Sequence, residues 1–333
     1  MANESKLVIV IDAPMPARQA ERLRALSPRI ELVEGVSAES LARAEVIYTS
    51  PARFEPDQCP RLRWVQTNSV TIAHLADRPI ARSPVPVSNV RGAYCLSVAE
   101  CALAMLLALT RRLPQCEALQ RESRWPSEYP PLGGENCFGK TMALAGYGST
   151  GRHLARIAQA MGMRVLASKR NPERRAAVNE FCFPGAGDPE GLIPERLFGP
   201  AETGEMFAQA DFAVVTLPLT PEARGSIGRR VLESLPGHAY LVDVGRGGVI
   251  EEAALVEHLR AGRIAGAALD VFATEPLPPE SPLWSMPNVL IVPHLGSYTR
   301  NQAELATEVL IENVSRDLEG RPLLNRVDFR LGY

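Results

Sequence analysis

Three charged residues each follow an apolar run of strand length, and together they could act on one small substrate. Arg246 follows Tyr240 to Val244, Glu275 follows Ile264 to Val271, and His294 follows Val289 to Val292. A guanidinium fork binds a carboxylate bidentately. An imidazole passes a proton near neutral pH, and a carboxylate beside it holds the ring and favours its charged form. Taken singly, Arg246 reads as a surface turn residue and His294 as a capped structural histidine. Taken together, Arg246 can hold a carboxylate and polarise an adjacent carbonyl, while His294 protonates the oxygen on which charge develops.

Such a centre needs a second reactant, and the stretch Lys140 to Arg170 has the pattern of a holder for one. Met142 to Ala145 is a short apolar run that empties into Gly146, Gly148 and Gly151 of Gly-Tyr-Gly-Ser-Thr-Gly. Leu154, Ile157, Ala158 and Met161 then recur at helical spacing until Gly162, and Val165 to Ala167 starts a second strand. A glycine turn feeding a helix N-terminus aims backbone N–H groups and the positive end of the helix dipole at one point, where an anion belongs. Gly146 makes the turn, Gly148 lets a pyrophosphate approach, and Gly151 lets helix and strand pack closely. The glycine spacing alone is a weak signal; its strand–turn–helix–strand setting makes it a dinucleotide site. Opposite a nicotinamide, the three charged residues suit hydride transfer involving a 2-keto acid, with reduction the natural direction near neutral pH.

The surrounding elements alternate between strand and helix, as an α/β fold requires. Strands are expected at Leu7 to Ile11, Val46 to Thr49, Leu62 to Thr67, Val85 to Val90 and Phe212 to Leu217, besides those above. Helices are expected over Arg18 to Leu26, Ser97 to Leu113, Glu251 to Ala261 and residues 300–318. The helix from Ser97 is apolar over too much of its circumference for one packing face, which places it between two lobes. Pro114 and the stretch Trp125 to Gly139, with Pro126, Pro130, Pro131, Gly133 and Gly134, read as a linker. The segment 184–200 shows little periodicity and reads as a surface insertion. Asn68, Ser69 and Val70 form a polar turn after a strand that could offer backbone N–H groups to a carboxylate.

Composition narrows the partners. The chain has 333 residues, enough for two lobes, and a formal net charge of -2, which gives no electrostatic case for nucleic acid or an anionic membrane. The residues Met1 to Lys6 run directly into Leu7 to Ile11, too short an apolar run for a signal sequence, and nothing approaches a membrane span. The 6 cysteines show no C-x-x-C and no ligand spacing with the 5 histidines, so they read as reduced thiols of a cytoplasmic protein, and no metal site is expected. A G-x-S-x-G elbow is absent from the sequence.

These residues resemble the D-isomer-specific 2-hydroxyacid dehydrogenase family over nearly the whole chain. The resemblance is carried by Val98-Ala99-Glu100, the glycine motif at 146 to 151, Leu217-Pro218-Leu219-Thr220, Val244-Gly245-Arg246-Gly247, Leu269-Asp270-Val271-Phe272 with Glu275-Pro276-Leu277-Pro278, and Pro293-His294. It implies two Rossmann-like, doubly wound parallel-sheet domains: a dinucleotide-binding domain over 99–299, inserted into a flavodoxin-like substrate domain formed by 1–98 and 300–333. It further implies a homodimer and a cleft that closes on substrate. By the same resemblance, Arg246, Glu275 and His294 are the catalytic residues. Gly146, Gly148, Ser149, Thr150, Gly151, Ser168, Pro218, Val244 and Gly245 line the cofactor, and Asp270 contacts the nicotinamide carboxamide. Asn68, Ser69 and Val70, with Arg246, take the substrate carboxylate.

Three positions depart from the family pattern. Eighteen residues after Gly151, where members using NAD usually carry an acid for the ribose hydroxyls, stands Lys169, flanked by Ser168 and Arg170. A carboxylate about 4 Å from a 2'-phosphate would be opposed by roughly 4 kcal/mol at an effective dielectric of about 20, and cations reverse that sign. The pattern therefore predicts NADP(H) over NAD(H). Asp243 stands where asparagine is common, which leaves the local hydrogen bonding open, and Ser69 replaces a usual glycine and narrows the carboxylate loop.

The leading expectation is an NADPH-dependent reductase of glyoxylate or hydroxypyruvate. A second is 3-phosphoglycerate dehydrogenase, with Arg53 and Arg91 as candidate phosphate ligands. A third, of another class, is a non-catalytic dinucleotide-sensing protein, against which the complete charged trio argues.

Overall fold

The computed structural model describes residues 6–129 and 132–330. Pro130 and Pro131 of the expected linker, and Met1 to Ser5, lie outside the described residues. The chain forms two compact units: Met1–Tyr94, Val178–Phe183 and Thr299–Tyr333 make the first, and Cys95–Ala177 with Pro184–Tyr298 make the second.

The first unit is built on β1 (Leu7–Asp12), α1 (Ala17–Ala25), β2 (Ile30–Glu34), α2 (Ala38–Arg43), β3 (Val46–Thr49), β4 (Trp64–Thr67) and β5 (Val87–Ser88). The sheet is parallel in the order β2-β1-β3-β4-β5, a flavodoxin-like winding. Side chains alternate across it. Leu7, Ile9, Val46, Tyr48 and Trp64 face the helix Gln302–Leu318 through Leu310, Ile311 and Val314. Val10, Ile47 and Val65 face the other layer with Leu41, Phe54 and Leu75. β2 and α2 are not among the elements expected from the sequence. β2 is an edge strand without clear alternation, and α2 is a short helix opened by a capping box between Ser37 and Ser40.

The second unit comprises α3 (Cys95–Thr110), α4 (Leu113–Arg121), β6 (Thr141–Ala145), α5 (Ser149–Ala160), β7 (Arg164–Ser168), β8 (Arg196–Phe198), α6 (Thr203–Phe207), β9 (Phe212–Val215), α7 (Arg229–Leu232), β10 (Tyr240–Asp243), α8 (Glu252–Arg260), β11 (Gly266–Leu269) and β12 (Val289–Ile291). The helix Gln302–Leu318 of the first unit is α9. The second sheet is parallel in the order β12-β11-β10-β9-β6-β7-β8, so winding reverses between β6 and β9. Ligands bind at such a switch point, beyond the strand C-termini. One sheet face packs α3 and α5 through Leu106, Leu154 and Ala158, and the other packs α6 and α8 through Phe207, Leu255 and Leu259.

Two expectations need correction. Pro114 does not begin a linker: it sits in the first turn of α4, where its missing N–H costs no helical bond, and the break after α3 is made by Arg112 in the left-handed region at φ 56°. Nor is 184–200 a surface insertion. It contains the edge strand β8, with Phe198 fully buried, and the buried carboxylate of Asp188.

Candidate active site

Because every neighbouring pair in the second sheet is parallel, β6, β7, β9, β10, β11 and β12 end on one edge, and most of the residues expected to do chemistry follow those ends. At the switch point, the three glycines of the turn are glycine for three different reasons. Gly146 has φ 110°, and a Cβ there would lie 2.7 Å from Thr216 Oγ1. At Gly151 a Cβ would lie 2.3 Å from the Gly146 carbonyl oxygen, so α5 could not approach β6 as it does. At Gly148 a Cβ would meet nothing within 4 Å. Packing within the unit thus leaves the Gly148 position open, directly before the uncapped N-terminus of α5 at Ser149, Thr150 and Gly151. An open glycine before an uncapped helix N-terminus suits an anion, so the residues fit the pyrophosphate of a dinucleotide. Thr216, which the sequence reading missed, closes the turn by donating its hydroxyl to the Gly146 carbonyl at 2.9 Å.

Ser168 ends β7 beside this turn, and its carbonyl accepts the Gly146 N–H at 3.1 Å. Lys169 and Arg170 follow it, and each has a partner: Lys169 Nζ donates to the Arg174 carbonyl, and Arg170 lies 3.7 Å from Glu222. Across the switch point, Val244 donates its N–H to the Val215 carbonyl at 3.1 Å. The Leu217–Pro218 turn presses on Gly245, where a Cβ would be 2.7 Å from the Leu217 carbonyl oxygen.

At the other end of the edge, His294 and Glu275 meet. His294 Nδ1 is 2.6 Å from Glu275 Oε2, leaving Nε2 as the outward nitrogen. Glu275 is anchored through its other oxygen, which accepts the Phe272 N–H at 3.0 Å. His294 adopts φ 55°, a strained conformation for a side chain of this size, and its N–H is shared between the carbonyls of Asp270 at 2.9 Å and Val292 at 3.0 Å. The Asp270 side chain turns toward the residues after His294, accepting the Leu295 N–H at 2.8 Å and the Gly296 N–H at 3.0 Å. It thereby shapes the histidine loop, and burial raises its pKa. Arg246 is brought in from β10 by Gly247, whose bare Cα packs on the Phe272 backbone, and Arg246 Nη1 donates to the Gly245 carbonyl at 2.7 Å.

Asp243 resolves the hydrogen bonding that the sequence left open. Its Oδ1 accepts the Gly245 N–H at 3.0 Å, as an asparagine oxygen would, so the turn before Arg246 is held in the same way. The carboxyl is 3% exposed, and burial, with Asp270 nearby, pushes its pKa up to about 7 against the pull of the Gly245 N–H and Arg246.

Asn68, Ser69 and Val70 belong to the first unit, beyond the end of β4. Asn68 N–H goes to the Thr49 carbonyl at 3.1 Å, Ser69 N–H to Thr67 Oγ1 at 3.2 Å, and the Val70 carbonyl accepts from Asn89 Nδ2 at 3.0 Å. The Asn68 carbonyl accepts the Tyr94 hydroxyl at 3.1 Å, and burial pushes that phenol up to about 12, so it remains a donor.

The chain is similar to known proteins. The profile of the D-isomer specific 2-hydroxyacid dehydrogenase, NAD binding domain, matches residues 103–296. The chain is 34% identical over 263 residues to a glyoxylate reductase of Thermococcus gammatolerans, covering 78% of this chain and 74% of the relative. It is 35% identical over 254 residues to a D-3-phosphoglycerate dehydrogenase of Synechocystis sp., covering 76% of this chain and 42% of the relative. Among solved structures, a D-isomer specific 2-hydroxyacid dehydrogenase from Xanthobacter autotrophicus, in complex with NADPH and MES, superimposes with a TM-score of 0.75 at 30% identity, covering 99% of this chain and 100% of that one. A glycine cradle at the switch point and a bonded Glu275–His294 pair on the same sheet edge accord with these matches, and the chain belongs to the D-isomer specific 2-hydroxyacid dehydrogenase family, NAD(P)-dependent oxidoreductases acting on CH–OH groups.

Proposed function

We propose that the protein is an NADPH-dependent reductase of small 2-keto acids, with glyoxylate and hydroxypyruvate as its substrates. The observation that carries the reaction is the 2.6 Å contact between His294 Nδ1 and Glu275, which turns Nε2 outward. With Nδ1 bonded to the carboxylate, the ring delivers its proton from Nε2 to the oxygen that becomes the hydroxyl. Arg246 binds the substrate carboxylate as a fork and polarises the keto oxygen. Asn68, Ser69 and Val70 are the proposed loop for that carboxylate, through donors other than the Asn68 and Ser69 N–H groups, which go to Thr49 and Thr67. When bound, the nicotinamide supplies the hydride. Gly146, Gly148, Ser149, Thr150 and Gly151 hold the pyrophosphate, with Ser168, Pro218, Val244, Gly245 and Asp270 along the rest of the cofactor.

The cofactor choice is supported by Lys169 and Arg170 at the end of β7 and by the NADPH found in the Xanthobacter relative. Steady-state assays with a panel of keto acids and both cofactors test the reading. Equal or better use of NADH removes the cofactor assignment, and a purified protein that reduces neither acid removes the substrate assignment.

A second reading, 3-phosphoglycerate dehydrogenase, is favoured by the Synechocystis relative and by Arg91, whose Nε is buried with no hydrogen-bond partner. Turnover of 3-phosphoglycerate that survives Arg53→Ala and Arg91→Ala would argue against a phosphate site there.

We also propose a homodimer. Leu113, Trp125, Tyr129 and Phe138 are large apolar side chains at least half exposed, and Trp125 Nε1 donates to the Tyr129 hydroxyl at 3.1 Å; apolar surface of this kind favours a protein partner. Sedimentation as a monomer at micromolar concentration would remove that proposal. None of the 6 cysteines is joined in a disulfide, which supports a cytoplasmic location; recovery from a secreted fraction would overturn it.

A further inference from the structure

Lys169, Arg170, Arg174 and Arg175 crowd four cations into one short loop. The loop leaves β7 at Ser168, paired in register with Ala145 of β6, one strand from the glycine turn. In a βαβ dinucleotide site that position reads the adenosine ribose.

A buried polar cluster gives this loop its shape. Tyr147, the residue between Gly146 and Gly148, donates its hydroxyl to Asp188 Oδ2 at 2.5 Å. Arg152, next after Gly151, donates Nη1 to the Asp188 carbonyl and Nη2 to the Arg175 carbonyl at 2.6 Å, with its guanidinium 4.7 Å from the Tyr147 ring centre. Asp188 also accepts the N–H groups of Leu192 and Ile193, each at 3.0 Å. Tyr147, Arg152 and Asp188 are at most 5% exposed. The loop is closed on itself as well: Arg175 Nη1 donates to the Gly191 carbonyl at 3.0 Å, and the Ala177 N–H to the Pro189 carbonyl at 2.7 Å.

Burying a guanidinium against backbone carbonyls is a poor way to gain stability, since an apolar side chain would fill the space without desolvating a charge. A buried hydrogen-bonded network instead specifies one geometry, and here Tyr147 Oη, both Asp188 carboxylate oxygens and both Arg152 Nη atoms are partnered, Arg152 Nε alone having no partner. Here the two residues that supply the side-chain donors stand inside and directly behind the phosphate turn, and the carbonyl they hold belongs to the cation loop.

We propose that Tyr147, Arg152 and Asp188 form a latch that positions the 169–175 loop for an adenosine 2'-phosphate. Cofactor selectivity is then set from beneath the glycine turn as well as by the cations. This inference rests on the NADPH reading above. The three latch residues are positioning residues, since their hydrogen bonds go to one another and to backbone groups, among them the Arg175 carbonyl of the loop.

Calorimetric binding of 2',5'-ADP and of 5'-AMP to the full chain tests it, with Arg152→Lys, Tyr147→Phe and Lys169→Ala compared with the parent, and thermal unfolding run alongside. Arg152→Lys keeps the charge but loses the fork, and should weaken 2',5'-ADP about tenfold while 5'-AMP changes less than about twofold. Tyr147→Phe, which removes one hydroxyl, should move in the same direction by a smaller factor. In steady state, the KM for NADPH should rise in both variants with the KM for NADH little changed. If both nucleotides weaken by the same factor, or neither weakens, the latch has no role in selectivity. If Lys169→Ala erodes the preference for 2',5'-ADP and the latch variants do not, the NADPH reading stands and the latch falls. If the parent protein binds 5'-AMP as well as 2',5'-ADP, the NADPH reading fails and the latch with it.

Discussion

A methyl group on Gly247 would stand 1.7 Å from the carbonyl oxygen of Phe272. The N–H of that same Phe272 is donated to Glu275. The turn that follows Arg246 and the turn that carries Glu275 are therefore seated on the two backbone polar groups of one residue, Phe272, although 24 or more residues separate them in the chain. Gly247→Ala must push them apart. We expect it to cost about 3 kcal/mol in chemical denaturation and to lower kcat/KM by about a hundredfold through misplacement of the reacting groups. Parent-like kcat/KM in this variant would show that the two turns move independently.

Glu275→Gln separates support from chemistry. The amide oxygen can still accept the Phe272 N–H, so the turn should survive and unfolding should be nearly unchanged. The amide NH2 now faces His294 Nδ1 and selects the opposite tautomer, leaving Nε2 without the proton relay that the carboxylate supports. We expect kcat to fall about a hundredfold with KM little altered. A variant with unchanged kcat would remove Glu275 from the reaction.

Gly148 and Gly151 should respond in opposite ways to alanine. At Gly148 the added methyl meets nothing within 4 Å, so stability should change by less than about 1 kcal/mol. The methyl would occupy the phosphate approach, and NADPH should bind at least about tenfold more weakly. Gly151→Ala drives α5 off β6, and the loss should appear in unfolding, about 1–3 kcal/mol. Equal stability losses in the two variants would contradict these roles. Differential scanning calorimetry with fluorescence titration of the nucleotide reads both quantities.

Asp243 gives a pH dependence with a definite sign. Its pKa rises from 3.8 to about 7 on folding, so between those values the folded chain binds the proton more tightly than the unfolded chain. Stability from this group is full below about pH 4, declines as pH climbs through the window, and is lost above about 7, a change of up to about 4 kcal/mol. Asp243→Asn keeps an oxygen for the Gly245 N–H and has no proton to lose. The melting temperatures of parent and variant should converge near pH 4 and separate toward pH 8, with the asparagine form higher. Parallel curves across that range would mean the carboxyl ionises normally.

Much of this arrangement was legible because parallel strands are short apolar runs and ligand residues sit directly after them. Arg246, Glu275 and His294 each follow such a run, and the hydrogen bond between the last two is the one their residue types demand. Elements without a periodic signal were lost. β8 is three residues long, Arg196–Phe198, and reads as loop until it is paired with β7. α4 was hidden because Pro114 punctuates a sequence, yet at a first turn it costs the helix nothing. Arg152 and Asp188 carry no local mark at all. They are 36 residues apart, and only the close approach of α5 to the returning chain makes them neighbours. Asp270 shows a subtler limit. The family resemblance of Leu269-Asp270-Val271-Phe272 marked it as a site residue, but that its side chain holds Leu295 and Gly296 depends on the end of the adjacent strand β12.

Helix α9 and Asn325 arrive last in the chain and finish what its first strands begin. Leu310, Ile311 and Val314 cover Leu7, Ile9 and Trp64, while Asn325 donates to the carbonyls of Asn89 at 3.1 Å and Arg91 at 2.7 Å. A nascent polypeptide leaving the ribosome at roughly 5–20 residues per second therefore carries one uncovered face of β1, β3 and β4 for about 10–40 s while residues 95–298 are made. Order of synthesis and order of completion are inverted: the unit translated in the middle can close its core first, and the oldest strands wait for the youngest helix.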